Sequence, residues 1–218
     1  MGKEITLFTT SFIPLFMMGI RVTIPLTLLS FFLGLILAML SALARVAKIP
    51  LLQRLASFYV WIFRGTPLLV QLYILFFGLP SVGIVWDAFT AATIGFSLNV
   101  GAYASETLRA AILAVPKGQW EAGYSVGMTY GQTLRRIVLP QACKIAFPPL
   151  FNHLIGLTKD TSMAAAIALP EMFLTAQRIA ARTFEPLLMY GEVALIYLLF
   201  CSILNYIQHW GEKKWKLH

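Results

Sequence analysis

The sequence predicts an all-α integral membrane protein, a single domain over residues 1–218 with five transmembrane helices. Three observations predict it. Hydrophobic residues make up 59% of the chain and charged residues only 12%, about half the charge of a soluble domain. The mean hydropathy is +0.77. Apolar stretches of about 20 residues, the length that crosses a bilayer as a helix, recur along the chain with no Ser/Gly-rich linker or low-complexity segment between them.

The five segments run from about Phe16 to Leu43, Leu55 to Phe77, Ala88 to Val115, Leu139 to Leu169 and Leu187 to Tyr206. The start, MGKEITLFTTSFIP, pairs Lys3 with Glu4 and lacks the small-residue cleavage site of a signal peptide. It reads as a short lead-in to the first span. Within that span Ser30, Gly34, Ala38 and Ala42 recur every four positions. Such a row of small residues lets a neighbouring helix backbone approach closely.

Orientation follows from the basic residues, which favour the cytoplasmic side. Arg45, Lys48 and Arg54 follow the first span. Arg109, Lys117, Arg135, Arg136 and Lys144 surround the long connection after the third, and Lys213, Lys214 and Lys216 end the chain. The 78–87 connection has neither Lys nor Arg, and in the connection after the fourth span Arg178 and Arg182 are offset in part by Glu171 and Glu185. The N-terminus is therefore predicted outside and the C-terminus inside. The net charge of +8 has this topological reading rather than a nucleic-acid one, because no interleaved aromatic and basic groove accompanies it. Cys143 and Cys201 have no metal-ligand spacing and are not expected to form a disulfide.

The 116–140 connection, on the basic side, is too long for a tight turn, and long structured connections tend to be functional. Gly118, Gly127 and Gly131 punctuate it, and Pro140 fits the start of the next helix. A short helix here would place Trp120, Tyr124 and Met128 on one side, facing either a partner protein or the lipid surface.

Three polar groups interrupt the spans, where charge is costly and commonly functional. Arg64-Gly65-Thr66-Pro67 breaks the second, since Pro67 removes a backbone donor. It reads as a kink or a gate, with Gln71 one turn further on. In the third, Asn99, Tyr103 and Glu106 share one stripe and, with Gln71, are candidate substrate-binding residues, Asn99 and Tyr103 foremost for lining a polar cavity. Arg109 stands three residues after Glu106, so a local ion pair accounts for that glutamate. In the fourth, Lys159-Asp160-Thr161-Ser162 reads either as an unwound substrate site or as a Lys159–Asp160 pair ending a helix. In the first case Asp160 would meet an α-ammonium, and Thr161, Ser162 and a following helix start would meet a carboxylate. The three histidines (153, 209 and 218) are too scattered for a metal site, and no phosphate-binding G-x-x-x-x-G-K-[ST] loop is present.

Glu121-Ala122-Gly123, then Gly127, then Ile137-Val138-Leu139-Pro140 resembles the EAA motif of membrane subunits of bacterial ABC importers, with Gly123 in place of a second alanine. Phe63 to Pro80, Ser97 to Ile112 and Leu157 to Ile167 resemble the polar amino-acid permease branch, and the stretch from Asn99 through Gly123 resembles its cystine members. The resemblance implies a type I (MetI-like) permease fold in the bacterial inner membrane. It implies that Glu121, Ala122, Gly123 and Gly127 dock a separate ATPase dimer. ATP and Mg are then held by that partner, leaving this chain without catalytic residues, metal or cofactor. It also implies a second permease chain, identical or related, and an extracytoplasmic solute-binding protein. An ion-coupled secondary carrier is the competing class, but such carriers are longer and internally repeated. A non-transporting scaffold would leave the Glu121–Pro140 spacing unexplained.

Overall fold

The computed structural model describes residues 2–46 and 49–214, with side chains from residue 6 onward; Lys48, Lys216 and His218 of the basic and histidine patterns lie outside the described residues, as do the side chains of Lys3 and Glu4. The described residues are helical almost throughout. α1 (Gly2–Met18) runs through a π turn at Gly19–Thr23 into α2 (Ile24–Val46). The predicted lead-in is thus helix, and Thr6–Val46 forms one apolar stretch of 41 residues. At about 1.5 Å per residue this is roughly twice the hydrocarbon thickness. The predicted first span is only its C-terminal part.

The second segment is two helices rather than one. α3 (Pro50–Gly65) and α4 (Leu68–Tyr73), the latter continuing as π and 3-10 turns to Val82, meet at 104°. Thr66 is extended (φ −123°, ψ 146°), because the ring of Pro67 excludes the helical region for the residue before it. Beyond lie α5 (Ala88–Ala114), α6 (Lys117–Ser125), α7 (Tyr130–Thr133), α8 (Leu139–Asp160), α9 (Met172–Thr183) and α10 (Pro186–Lys214). Asp87 caps α5, its carboxylate accepting from the Phe89 and Thr90 amides at 3.0 and 3.1 Å.

Thr6–Val46 and Pro186–Lys214 are each long and apolar enough to cross a membrane, and the bent α3–α4 pair qualifies as one broken span. α5 and α8 are 27 and 22 residues long but more polar. α5 is the centre of the main core, which gathers Leu26, Ala38, Leu72, Phe96, Leu108 and Ile112 among others. The small-residue row does what its spacing predicts. Ser30, Ala38 and Ala42 are wholly buried, and a Cβ on Gly34 would lie 3.0 Å from Val100 Cγ1 and 3.2 Å from the Ser97 carbonyl oxygen. Opposite, a Cβ on Gly101 would lie 2.9 Å from Leu37 Cβ. α2 and α5 run in the same direction, with Ser30 beside Thr93 and Arg45 beside Glu106.

A second, smaller core joins Leu15 of α1 to Met172 and Ala176 of α9 and to Val193, Ile196 and Phe200 of α10. α8 runs antiparallel to α5, with His153 near Thr107, and α10 antiparallel to α8, with Gly211 against Phe147. The C-terminal ends of α2, α5 and α10 and the N-terminal end of α8 therefore lie together. That end carries Arg45, Arg135, Arg136, Lys144, Lys213 and Lys214, which is the charge asymmetry the sequence predicts. Outward faces are greasy: Phe32, Leu40, Leu55, Trp61, Leu198 and Tyr206 are more than half exposed.

Candidate functional site

The basic end holds the first of two functional regions. α6 ends at Ser125, Val126 closes it, and Gly127 takes a left-handed conformation (φ +79°). The Gly127 amide bonds to the Tyr124 carbonyl at 2.9 Å and the Met128 amide to the Gly123 carbonyl at 3.0 Å. This pair of bonds is a Schellman terminus, whose left-handed position favours glycine. Thr129 then caps α7, with a reciprocal bond from its own amide to Gln132 at 2.9 Å. Glu121 and Ala122 are exposed on α6, while Gly123 is buried against Thr133. A Cβ on Gly123 would lie 2.6 Å from Thr133 Cγ2, so glycine at this position matches the neighbour.

The single aromatic face expected here is not formed. Because the helix stops before Gly127, Met128 is not in register with Tyr124. Trp120 packs on the main core and stacks on Tyr130, ring centroids 5.4 Å apart. Burial there raises the Tyr130 phenol above its usual range. Tyr124 alone of the three is exposed.

The second region is a cavity of about 320 Å³ between the α3–α4 break, α5 and α8. Thr66, Pro67, Asn99, Tyr103, Asn152, His153 and Asp160 line it. Asn99 and Tyr103, placed on one stripe of α5, both reach it, and the facing helix supplies Asp160. Among the described residues the Asp160 carboxylate has no hydrogen-bond or ion-pair partner.

Gln71 lies behind the cavity wall, 6% exposed. Its Nε2 donates to the carbonyls of Phe63 and Thr66 at 3.0 and 3.1 Å and to Thr66 Oγ1 at 2.9 Å. It therefore satisfies the backbone groups freed by the break, as non-helical backbone at membrane depth requires. Asn99 Nδ2 donates to Gln71 Oε1 at 3.1 Å, tying α5 to the same break.

Glu106 does not line the cavity; its partners Arg45 and Arg64 line a different hollow, a groove of about 430 Å³ with Trp61, Gly65 and Tyr103. The predicted pair with Arg109 is present. Arg45 adds a bond from α2 at 2.5 Å and Arg64 approaches from α3 at 3.9 Å. The Arg64 guanidinium also stands 5.4 Å from the Tyr103 ring centroid.

The Lys159–Ser162 stretch is not unwound: the α-helix ends at Asp160 and the chain continues in a tighter helical form. α8 tightens into a 3-10 helix at Thr161–Ile167 without leaving right-handed helical dihedrals. Thr161 Oγ1 donates to the Thr158 carbonyl at 2.7 Å and Ser162 Oγ to the Lys159 carbonyl at 2.8 Å. Thr161 is buried, and Ser162 opens with Lys159 into a groove against α10 rather than into the cavity. No Lys159–Asp160 ion pair forms among the described residues.

The sequence reading missed two buried acids. Glu171, counted among the charges of the connection after the fourth span, is fully buried and caps α9 through the Phe173 and Leu174 amides at 2.8 and 2.7 Å. Glu192 is 1% exposed and accepts from Ser11 at 2.7 Å. Glutamate is not among the usual N-cap residues, so the Glu171 cap carried little signal, and Ser11, 181 positions from Glu192, carried none. Cys143 and Cys201 are free thiols.

This architecture is that of a transporter's membrane domain. Residues 30–217 match the binding-protein-dependent transport system inner membrane components, and the chain belongs to that family: it is a permease subunit of an ABC transporter, and ATP is hydrolysed by a partner subunit. The chain is similar to the L-cystine transport system permease protein TcyB of Bacillus subtilis, 52% identical over 205 residues covering 94% of this chain and 88% of that one. It is 38% identical to the arginine transport system permease protein ArtQ of the same organism, covering 94% of each. Among solved structures, an amino acid ABC transporter crystallised with histidines superposes with a TM-score of 0.89 at 32% identity, covering 94% and 96% of the two chains. The inward-facing MetNI methionine transporter shares the fold, at a TM-score of 0.76 and 21% identity.

Proposed function

We propose that this chain forms half of the path of an importer that carries a polar amino acid, L-cystine in the first instance, across the bacterial inner membrane. The observation that carries this reading is the polar cavity, with the unpaired Asp160 carboxylate facing Asn99 and Tyr103. Its volume is at the lower end of small-molecule sites, and a carboxylate there suits an α-ammonium. The similarity to TcyB favours cystine over arginine.

In this reading the whole chain is one domain with five spans, its N-terminus outside and its C-terminus cytoplasmic. The basic end faces the cytoplasm, where α6 and the Gly127 turn dock an ATPase dimer holding ATP and Mg. Glu121 and Ala122 present the contact surface, and Gly123 and Gly127 fix its shape. A second copy of this chain supplies the other half, and an extracytoplasmic binding protein delivers the solute. Gln71 holds Asn99, Thr161 holds the turn carrying Asp160, and Glu106 anchors the inner mouth. The break at Pro67 and Arg64 forms the gate between cavity and mouth. Alternating access requires only that the two conformations bind solute and ATPase differently.

The test is ATPase stimulation in proteoliposomes containing the permease, its ATPase and its binding protein. L-Cystine should stimulate more than L-arginine or L-glutamine. Equal stimulation by all three would remove the cystine assignment, and none by any amino acid would remove the substrate class.

A further inference from the structure

An amino acid carries a carboxylate as well as an ammonium, and the cavity offers the carboxylate no cation. Among the described residues no Lys or Arg lines it, and the imidazole of His153 on its wall is engaged with Thr107 Oγ1 at 3.0 Å. Lys159 opens into the groove against α10. Thr161 and Ser162 spend their hydroxyls on carbonyls of their own turn. A site built to hold both ends of a zwitterion is incomplete as described.

The missing charge stands just outside, in the Arg45–Arg64 groove. Three guanidinium groups surround the one carboxylate of Glu106, and two of them use it fully. Arg45 Nη1 donates to Oε2 at 2.5 Å, and Arg109 occupies Oε1. Arg64 remains at 3.9 Å, beyond hydrogen-bond distance, with 43% of its side chain exposed. It is the uncommitted cation of the three. Its guanidinium stands over the ring of Tyr103, 5.4 Å from the centroid, and Tyr103 lines both the groove and the cavity. Gly65 lines the groove and Thr66 the cavity, so the two hollows adjoin along the chain at the α3–α4 break. Nothing lies within 4 Å of a Cβ built on Gly65, which leaves open space beside Arg64.

We infer that Arg64 is the carboxylate-recognition residue of the transport site, turning about the Tyr103 ring from its loose position near Glu106 to the solute carboxylate in the cavity. A guanidinium binds a carboxylate through two parallel N–H···O bonds, so this role suits arginine better than lysine. Asp160 and Arg64 then hold opposite ends of an α-amino acid. The break at Thr66–Pro67 supplies the adjacent backbone that solute binding would order. This inference rests on the cavity being the transport site, and its test separates the two claims.

The experiment is equilibrium binding to the purified permease–ATPase complex in nanodiscs, without binding protein, using labelled L-cystine and its bis-amide. Wild type should bind L-cystine and discriminate strongly against the amide. Arg64→Gln should weaken L-cystine by about 10- to 100-fold, the range of a charge-assisted hydrogen bond, and leave the amide unchanged. Arg64→Lys should keep part of the discrimination, and it decides the matter if the glutamine variant does not assemble. Undiminished discrimination in both variants would overturn the inference. So would equal weakening of acid and amide, the mark of a structural role on Tyr103. If wild type ignores L-cystine, the same comparison with L-arginine and argininamide tests Arg64 while the cystine assignment alone falls. If no α-amino acid binds, both claims fall.

Discussion

The side-chain amide of Asn99 donates to the side-chain oxygen of Gln71 at 3.1 Å, and the Gln71 nitrogen in turn satisfies the carbonyls of Phe63 and Thr66. One cavity-lining residue is thus fastened to the backbone of a broken helix. Gln71→Leu removes every one of these bonds while keeping a similar volume. Leaving buried carbonyls unmet costs about 1–3 kcal/mol, so the apparent melting temperature of the purified complex should fall by several degrees. Uptake should fall with it, because Asn99 loses its anchor. An unchanged melting curve would show that water or lipid replaces Gln71 at no cost.

The cavity makes a separate prediction for Asp160. Replacing it with alanine deletes a carboxylate that supports no hydrogen bond or ion pair in the described structure. Assembly with the ATPase, read by co-purification, should survive, and uptake of labelled amino acid should drop by at least about tenfold, the loss expected from one charged contact. Accumulation at the wild-type rate would remove Asp160 from the site.

At the basic end, Gly127 and Gly131 give a matched pair. Both have open space around a built Cβ, but only Gly127 has a positive φ. Gly127→Ala is therefore strained by about 1 kcal/mol or more, whereas Gly131→Ala is tolerated. The expected outcome is reduced uptake per ATP hydrolysed for the first and normal coupling for the second. Equal effects would mean that space, and not backbone conformation, matters there.

Gly123 is constrained differently, by its neighbour. Gly123→Ala brings Cβ to 2.6 Å from Thr133 Cγ2 and should weaken ATPase co-purification. Combining it with Thr133→Ala should restore part of the loss, since the clashing methyl and hydroxyl are gone. Failure of the double variant to recover anything would show that the alanine acts on the ATPase directly.

How much of this was readable beforehand depends on the range of each interaction. The row Ser30, Gly34, Ala38 and Ala42 declared its packing face through helical period alone. Thr66–Pro67 declared its break through ring sterics, and the 127 turn through glycine. What escaped was set at a distance. Glu106 was read as a local pair with Arg109, and nothing in the sequence could bring Arg45, 61 positions away, to its other oxygen. Of the two readings of Lys159–Ser162, the unwound one fails, although the α-helix does end at Asp160. Thr161 and Ser162 bond back to their own turn, a local option open to hydroxyl side chains. The aromatic face at 120–128 failed because the helix ended sooner than the periodicity assumed.

The central claim is that this bundle moves its solute only with work done by an ATPase gripping α6. The direct measurement is uptake of labelled L-cystine into proteoliposomes containing wild-type permease or Glu121→Lys, with and without the ATPase subunit, ATP being supplied on its side. Uptake should require both the subunit and ATP, and the reversed charge on the exposed face of α6 should abolish it while the protein still inserts. Full-rate accumulation by the permease alone, or by the Glu121→Lys complex, would contradict the account.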